Sequence, residues 1–255
     1  MFTSKRKEDD QMKSLSFRVG VILIGLAILG YTEAWGADQA VYGTTDAGYI
    51  FHPRLSRDRA IVYCHWGFGK VRNPGLDLPD VYYFVDHGWI VLVLKYEEER
   101  GKPKSIKGDI KDAMKEILSL KEKFKSIDLL GVSRGGYVAL QTFLRYSEKI
   151  DKCVSVVAPA HMELYERIGK KIRGEEYFKG MEDPYEYVGK VSLTERHELG
   201  KKLLLIYGNK DDVVPASQGI GLSEKTKCKL ILVDGDHFLF NKQENQRLAK
   251  EFLLN

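Results

Sequence analysis

Residues 126–140 of the chain read SIDLLGVSRGGYVAL, and they are the most informative segment for assigning the fold class. A short apolar run leads directly into the sequence Gly-Val-Ser-Arg-Gly at 131–135, and a helix-forming sequence follows without a linker. This order predicts a buried strand, a sharp turn and a helix. Glycines two positions before and after Ser133 leave room for a tight turn that lifts the serine hydroxyl clear of the sheet. We therefore predict that Ser133 is a nucleophile held at a strand-to-helix turn.

Similar apolar runs recur along the chain and alternate with helical patterns. They lie at 60–65, 90–94, 126–132, 153–158, 203–207 and 230–233. Between them, apolar residues at helical spacing predict an amphipathic helix at about 106–123. Strands that alternate with helices favour a mostly parallel sheet, and continuous apolar runs are typical of strands that are buried on both faces. The sequence therefore predicts an α/β fold.

A serine hydroxyl needs a base and an orienting carboxylate before it can act as a nucleophile. Asp211 follows the predicted strand at 203–207, and His237 follows the one at 230–233. In a parallel sheet the residues that follow the strands meet at one edge. We therefore predict a catalytic triad of Ser133, Asp211 and His237.

Three other residues remain alternatives for the last two roles. Asp212 directly follows Asp211, and Asp236 directly precedes His237, so either carboxylate could orient the imidazole. His161, just after a predicted strand, is the second choice for the base.

The turn after the first predicted strand is a candidate for stabilising negative charge. It reads CHWGFG at 64–69. A tetrahedral oxyanion needs two main-chain N–H donors, one of them from the residue after the nucleophile. We predict that Arg134 and Gly67 provide them. The residues expected to contact substrate are Trp66, Tyr137 and His161.

The sequence GVSRGGY at 131–137 resembles the elbow of the prolyl oligopeptidase and dienelactone-hydrolase-like branches of the α/β-hydrolase superfamily. The resemblance covers about residues 45–255, and Ser133, Asp211 and His237 match the nucleophile, acid and base of these branches. Trp66 is a departure, because relatives commonly have His-Gly-Gly at this turn. The resemblance implies an α/β-hydrolase fold with about eight strands, helices on both faces, and acyl hydrolysis without metal or cofactor.

These features predict a serine hydrolase that cleaves ester bonds of a small substrate through an acyl-enzyme. An exported peptidase or amidase acting on short peptides is one alternative, and a non-catalytic binding protein on the hydrolase fold is another. The intact order of serine, aspartate and histidine argues against the binding protein. A net charge of +4, scattered along the chain, argues against a nucleic-acid partner. The three cysteines are too far apart in sequence to encode a zinc ribbon or a disulfide framework.

Residues 1–36 have the layout of a secretory signal peptide. Residues 19–31 are apolar and uncharged, Lys13 and Arg18 precede them, and Ala-Trp-Gly at 34–36 follows. The run is shorter than the roughly 20 residues that span a bilayer, so we predict cleavage after Gly36 and export. The alternative is an uncleaved anchor at 19–31. Unless this segment is uncleaved, we expect no stable membrane partner. Met12 is an alternative start.

The catalytic domain is expected at 37–255. Within it, residues 161–199 are polar and rich in tyrosine and glutamate, and they contain no convincing strand. Long segments of this kind are often lids or binding loops. We therefore expect 161–199 to be a lid-like insertion that selects the substrate.

Overall fold

Apolar segments of four to seven residues form the strands of one eight-stranded sheet. The structure is a computed structural model and describes residues 41–44, 48–56, 58–67, 78–101, 105–161 and 183–255. The strands are β1 (Val41–Thr44), β2 (Gly48–His52), β3 (Arg59–Cys64), β4 (Ile90–Leu94), β5 (Ser126–Val132), β6 (Lys152–Val156), β7 (Leu203–Gly208) and β8 (Lys229–Val233).

The strands lie in the order β1-β2-β4-β3-β5-β6-β7-β8. Strand β2 runs antiparallel to β4, and each neighbouring pair from β4 to β8 is parallel. The central strands are buried along almost their whole length, because helices cover them. This architecture confirms the predicted α/β-hydrolase fold and its mostly parallel sheet of eight strands.

Seven α-helices are described: α1 (Pro79–Asp86), α2 (Ile106–Lys121), α3 (Arg134–Tyr146), α4 (Pro184–Lys190), α5 (Leu193–Lys201), α6 (Ser217–Thr226) and α7 (Gln243–Leu254). Short 3₁₀ turns lie at Glu97–Arg100, Ser147–Lys149 and Leu239–Asn241. Helix α2 begins where the Ser105 side chain accepts a hydrogen bond from the Gly108 N–H, as is usual for an N-cap. Its apolar stripe packs into the main core, as the sequence predicts.

The sheet register places the elements of the site side by side. Cys64 at the end of β3 is level with Gly131 on β5, and Val132 is level with Val156 at the end of β6. The turn after β3 and the turn after β5 therefore leave the sheet next to each other. Strand β6 ends two residues earlier than predicted, because Val157 has a φ of 44° and leaves the extended conformation.

Part of the predicted lid-like insertion is helical. Helices α4 and α5 occupy its second half, and they pack against α6, with α4 also against α3. Residues 162–182, the first half, lie outside the described residues, as does the predicted signal peptide at 1–36. Within the described residues, no helix is long and apolar enough to cross a membrane. All three cysteines are buried as free thiols.

Candidate active site

Ser133 lies at the turn between β5 and α3 in a conformation that side chains rarely adopt. Its φ is 54° and its ψ is −118°, a strained combination that costs about 1–3 kcal/mol. Two main-chain hydrogen bonds hold it: the Ser133 N–H donates to the Val156 carbonyl at 2.8 Å, and the Ser133 carbonyl accepts from the Tyr137 N–H at 3.0 Å. The strain is therefore maintained by β6 on one side and by the first turn of α3 on the other.

The glycines that flank the serine are required by close main-chain contacts. A Cβ atom on Gly131 would lie 2.1 Å from the Gly135 carbonyl oxygen. A Cβ atom on Gly135 would lie 1.8 Å from the Cys64 carbonyl oxygen. Both distances are far below van der Waals contact, so the turn and the end of β3 approach each other as closely as the backbone allows.

The serine hydroxyl contacts the side chain of His237, which in turn contacts Asp211. His237 Nε2 lies 2.9 Å from Ser133 Oγ, and His237 Nδ1 lies 2.8 Å from Asp211 Oδ2. A carboxylate only accepts hydrogen bonds, so Nδ1 carries the proton, and Nε2 of the neutral ring is left to accept from the serine hydroxyl. The structure brings the three predicted residues into one hydrogen-bonded chain.

The geometry distinguishes Asp211 from its two neighbours. Its Oδ1 accepts the N–H groups of Val213 and Val214, each at 2.8 Å, and its carboxylate is buried. Asp212 is exposed, and Asp236 is exposed with its Oδ1 accepting the N–H of Phe238. Asp211 is therefore the carboxylate that contacts the imidazole.

The two predicted oxyanion donors lie on adjacent turns. Gly67 has a φ of 83°, and a Cβ atom there would meet none of the described residues within 4 Å, so its backbone conformation favours glycine. The N–H of Arg134 lies at the N-terminal end of α3, where the helix dipole favours negative charge. The assignment of these two donors remains a prediction.

Of the three residues predicted to contact substrate, Trp66 lies at the site. It lines a cavity that is open to solvent and that also borders Ser133 and His237. The remaining lining residues are Val132, Phe238, Phe240 and Asn241. Trp66 and Phe238 are exposed, and their rings meet edge to face with centroids 6.4 Å apart. Phe238, Phe240 and Asn241 were not predicted, although Phe238 directly follows the histidine.

The prediction that Tyr137 contacts substrate is wrong. Its side chain is 1% exposed and lies in the core, where its hydroxyl accepts a hydrogen bond from Gln141. Tyr137 lies in the first turn of α3, in the stretch from Arg134 to Leu144 that is buried throughout.

His161 also lies away from the triad contacts and does not line this cavity. Its Nδ1 is 3.9 Å from the Asp183 carboxylate, and its ring meets that of Tyr185. Its main-chain N–H donates to the side-chain oxygen of Gln218. The structure therefore gives no support to His161 as the base.

Burial governs the other ionisable groups near the site. It raises the pKa of the Cys64 thiol, next to the turn, so this cysteine stays protonated and unreactive. Burial also raises the pKa of Asp80 to about 6, although the Tyr63 hydroxyl donates to this carboxyl group. Among the described residues, no group of three or more His, Cys, Asp or Glu side chains could hold a metal ion.

Solved structures with the same fold include several esterases. The Pyrococcus furiosus esterase Pf2001 is 20% identical, with a TM-score of 0.58 over 84% of this chain and 90% of that one. Est1E from Butyrivibrio proteoclasticus is 14% identical, with a TM-score of 0.60 over 85% and 98%. XC6422 from Xanthomonas campestris, described as an α/β serine hydrolase without a lid, is 16% identical, with a TM-score of 0.55 over 86% and 95%. At these identities the likeness establishes the fold.

Sequence comparison identifies the family. No curated protein matches the chain. The profile of the prolyl oligopeptidase family matches residues 98–245, more than half of the chain and the part that includes Ser133, Asp211 and His237. This match and the fold confirm the resemblance found in the sequence. The chain belongs to the prolyl oligopeptidase family within the α/β-hydrolase fold.

Proposed function

We propose that the protein is a serine hydrolase that cleaves ester bonds of small substrates through an acyl-enzyme intermediate. The hydrogen-bonded chain from Asp211 through His237 to Ser133, which opens onto a cavity, carries this proposal. The family match and the esterases among the structural neighbours support a hydrolase.

The proposed reaction begins with proton transfer from Ser133 Oγ to His237 Nε2 as the oxygen attacks the ester carbonyl carbon. Asp211 keeps the proton on Nδ1 and stabilises the imidazolium that forms. The carbonyl oxygen becomes negatively charged, and the main-chain N–H groups of Gly67 and Arg134 are the proposed donors to it. The intermediate then collapses, and the imidazolium gives its proton to the departing alcohol.

Hydrolysis of the acyl-enzyme repeats the same steps with water as the nucleophile. His237 accepts a proton from the water, and the new oxyanion occupies the same donors. When the second intermediate collapses, Ser133 Oγ recovers the proton from His237, and the carboxylic acid leaves. The cycle needs no group beyond these side chains and main-chain donors.

The lining of the cavity favours an uncharged substrate. Besides the serine and histidine, its described walls are aromatic or aliphatic except for Asn241. Apolar walls with a few polar groups are typical of sites for small molecules, and the exposed rings of Trp66 and Phe238 offer contact area to an apolar acyl or alcohol group. We therefore propose small apolar esters as the substrate class. Short peptides are the second candidate, because the family match is to prolyl oligopeptidases.

A fluorophosphonate probe together with two substrate series tests the proposal. We expect the wild-type protein to be labelled on Ser133 and to hydrolyse short p-nitrophenyl esters faster than proline-containing peptide anilides. Ser133→Ala should abolish labelling and reduce turnover by about 10³-fold or more, with an unchanged fold by circular dichroism. Faster cleavage of the peptide series would identify a peptidase. If the protein is not labelled and hydrolyses neither series, the result would indicate a non-catalytic binding protein.

We also propose that the protein is exported, with cleavage near Gly36. The support is the apolar stretch at 19–31 with its basic and small-residue flanks. N-terminal sequencing of the protein from an extracytoplasmic fraction is the test. An intact N-terminus in the membrane fraction would indicate an anchor, and an intact N-terminus on cytoplasmic protein would contradict export.

A further inference from the structure

Tyr96 touches both turns that carry the proposed oxyanion donors. It lies two residues after β4 and is fully buried. Its hydroxyl donates to the His65 carbonyl at 2.7 Å, on the turn that leads to Gly67. The guanidinium carbon of Arg134 lies 4.0 Å from the centroid of its ring, on the other turn.

The His65 side of this contact is fixed at several points. The ring of His65 lies against that of Tyr96, with centroids 4.5 Å apart. His65 Nδ1 is 3.0 Å from the Trp66 carbonyl, and its Nε2 is 3.1 Å from Glu99 Oε2. A carbonyl only accepts hydrogen bonds, so His65 Nδ1 donates to the Trp66 carbonyl. Glu99 Oε2 also accepts the N–H of Tyr96 at 2.8 Å, which joins the turn to the segment after β4.

The Arg134 side is fixed by a buried ion pair. The guanidinium donates to Asp109 Oδ2 on α2 at 2.7 Å, and both side chains are 1% exposed. Arg134 follows the nucleophile directly, so its side chain anchors the first residue of α3, whose main-chain N–H is one of the two proposed oxyanion donors. The face of the Tyr96 ring completes this anchor through a cation–π contact.

We propose that Tyr96 is a positioning residue that sets the separation of the Gly67 and Arg134 N–H groups. The inference rests on the proposed function, because it concerns the oxyanion of that reaction. Donors of this kind act on charge that develops in the transition state, so a small displacement lowers turnover more than substrate binding. Tyr96 does not line the cavity, so we assign it an effect on catalysis that passes through the two turns it contacts.

Tyr96→Phe tests the proposal with the smallest change available. It removes the hydrogen bond to the His65 carbonyl and keeps the ring beneath Arg134. We expect kcat to fall by about tenfold and KM to change by less than about twofold, because a misplaced donor costs transition-state stabilisation. Affinity for a trifluoromethyl ketone, which forms a tetrahedral adduct with the serine, should fall by the same factor as kcat/KM.

Tyr207→Phe is the matched control. Tyr207 on β7 is also fully buried, and its hydroxyl also donates to a main-chain carbonyl, that of Ala158. Both variants should lose similar stability in thermal unfolding, but only Tyr96→Phe should lose kcat and ketone affinity. The proposal is overturned if the two variants have the same kinetics at equal fractions folded.

A second variant serves if Tyr96→Phe does not fold. Glu99→Gln keeps the size of the side chain and an acceptor for the Tyr96 N–H, but it weakens the contact with His65. It should lower kcat and ketone affinity together, and unchanged values would contradict the proposal. Failure of the proposed function itself has a different signature, because wild-type protein would then neither react with the fluorophosphonate nor hydrolyse esters.

Discussion

At the scale of single residues, the site depends on how Asp211 distributes its two carboxylate oxygens. Oδ1 accepts the N–H groups of Val213 and Val214, so the carboxylate cannot rotate, and Oδ2 faces His237 Nδ1. An amide at this position has only one oxygen. If that oxygen satisfies the two main-chain donors, the NH₂ group must face Nδ1, which favours the wrong imidazole tautomer.

We therefore expect Asp211→Asn to lower kcat by about 10³-fold or more, with little change in stability. The control is Asp212→Asn, an identical change at an exposed neighbour, which should alter kcat by less than about threefold. Ester hydrolysis at saturating substrate is the measurement. A larger loss for the Asp212 variant would transfer the orienting role to that residue.

At the scale of elements, the site is built by the close approach of the β5–α3 turn to the end of β3. Gly135 is where they meet, because its Cα packs against the main chain of Cys64 and His65. The Cys64 and His65 carbonyls cannot move without disturbing the central strand β3 and the hydrogen bond from the Tyr96 hydroxyl to His65. The glycine therefore keeps the nucleophile and the oxyanion turn together.

Gly135→Ala should force the two elements apart. We expect lowered thermal stability and a loss of at least 10²-fold in kcat/KM, since a displacement of about 1 Å is enough for such an effect. Gly221→Ala, in helix α6, is the matched control, because among the described residues its Cβ would meet only Tyr185, at 3.4 Å. That variant should be as active as wild type and equally or more stable, since alanine favours helices. Normal activity of the Gly135 variant would show that the contact is not needed.

The same elements show which parts of the structure a sequence can predict. The strands from β3 to β8 are continuous apolar runs, and the serine lies in a local pattern of glycines, so both were predicted. Strands β1 and β2 were not, because their short sequences VYGT and GYIFH carry little periodicity. Asp211 was preferred over Asp212 in the sequence, but only the contacts distinguish them. The sequence does not predict a role for Tyr96 or Glu99, because the residues they contact at the site are far away in the chain.

The prediction that Tyr137 contacts substrate fails for a related reason. The position lies near the nucleophile in the chain, which suggested contact with substrate. Every residue of α3 from Arg134 to Leu144 is buried, so nearness to Ser133 in the chain does not bring the Tyr137 side chain into the cavity. Its burial beside Gln141 depends on how α3 packs, which no local pattern reveals.

At the scale of the whole molecule, one buried cluster joins the middle of the sheet to the C-terminal helix. Asp128 on β5 accepts hydrogen bonds from Arg59 at 3.0 Å and from Trp89 at 3.4 Å. Arg59 also donates to the Leu253 carbonyl on α7. Burial raises the pKa of Asp128 from 3.8 to about 6, and the opposing effect of Arg59 is smaller. The cluster therefore links folding to pH.

The sign of this link follows from proton binding. A carboxyl group with a raised pKa binds its proton more tightly in the folded protein than in the unfolded chain. Its contribution to stability is therefore greatest below about pH 4, and it is lost as the pH rises to about 6.

Asp128→Asn removes this titration and keeps an oxygen that can accept from Arg59. We expect the free energy of unfolding of wild type, relative to this variant, to fall by about 2 kcal/mol between pH 4.5 and 7.5. Urea unfolding of both proteins at the two pH values measures it. If the difference in free energy of unfolding between the two proteins stays constant, or grows with pH, then the attraction of the Arg59 charge outweighs the effect of burial on the Asp128 carboxylate.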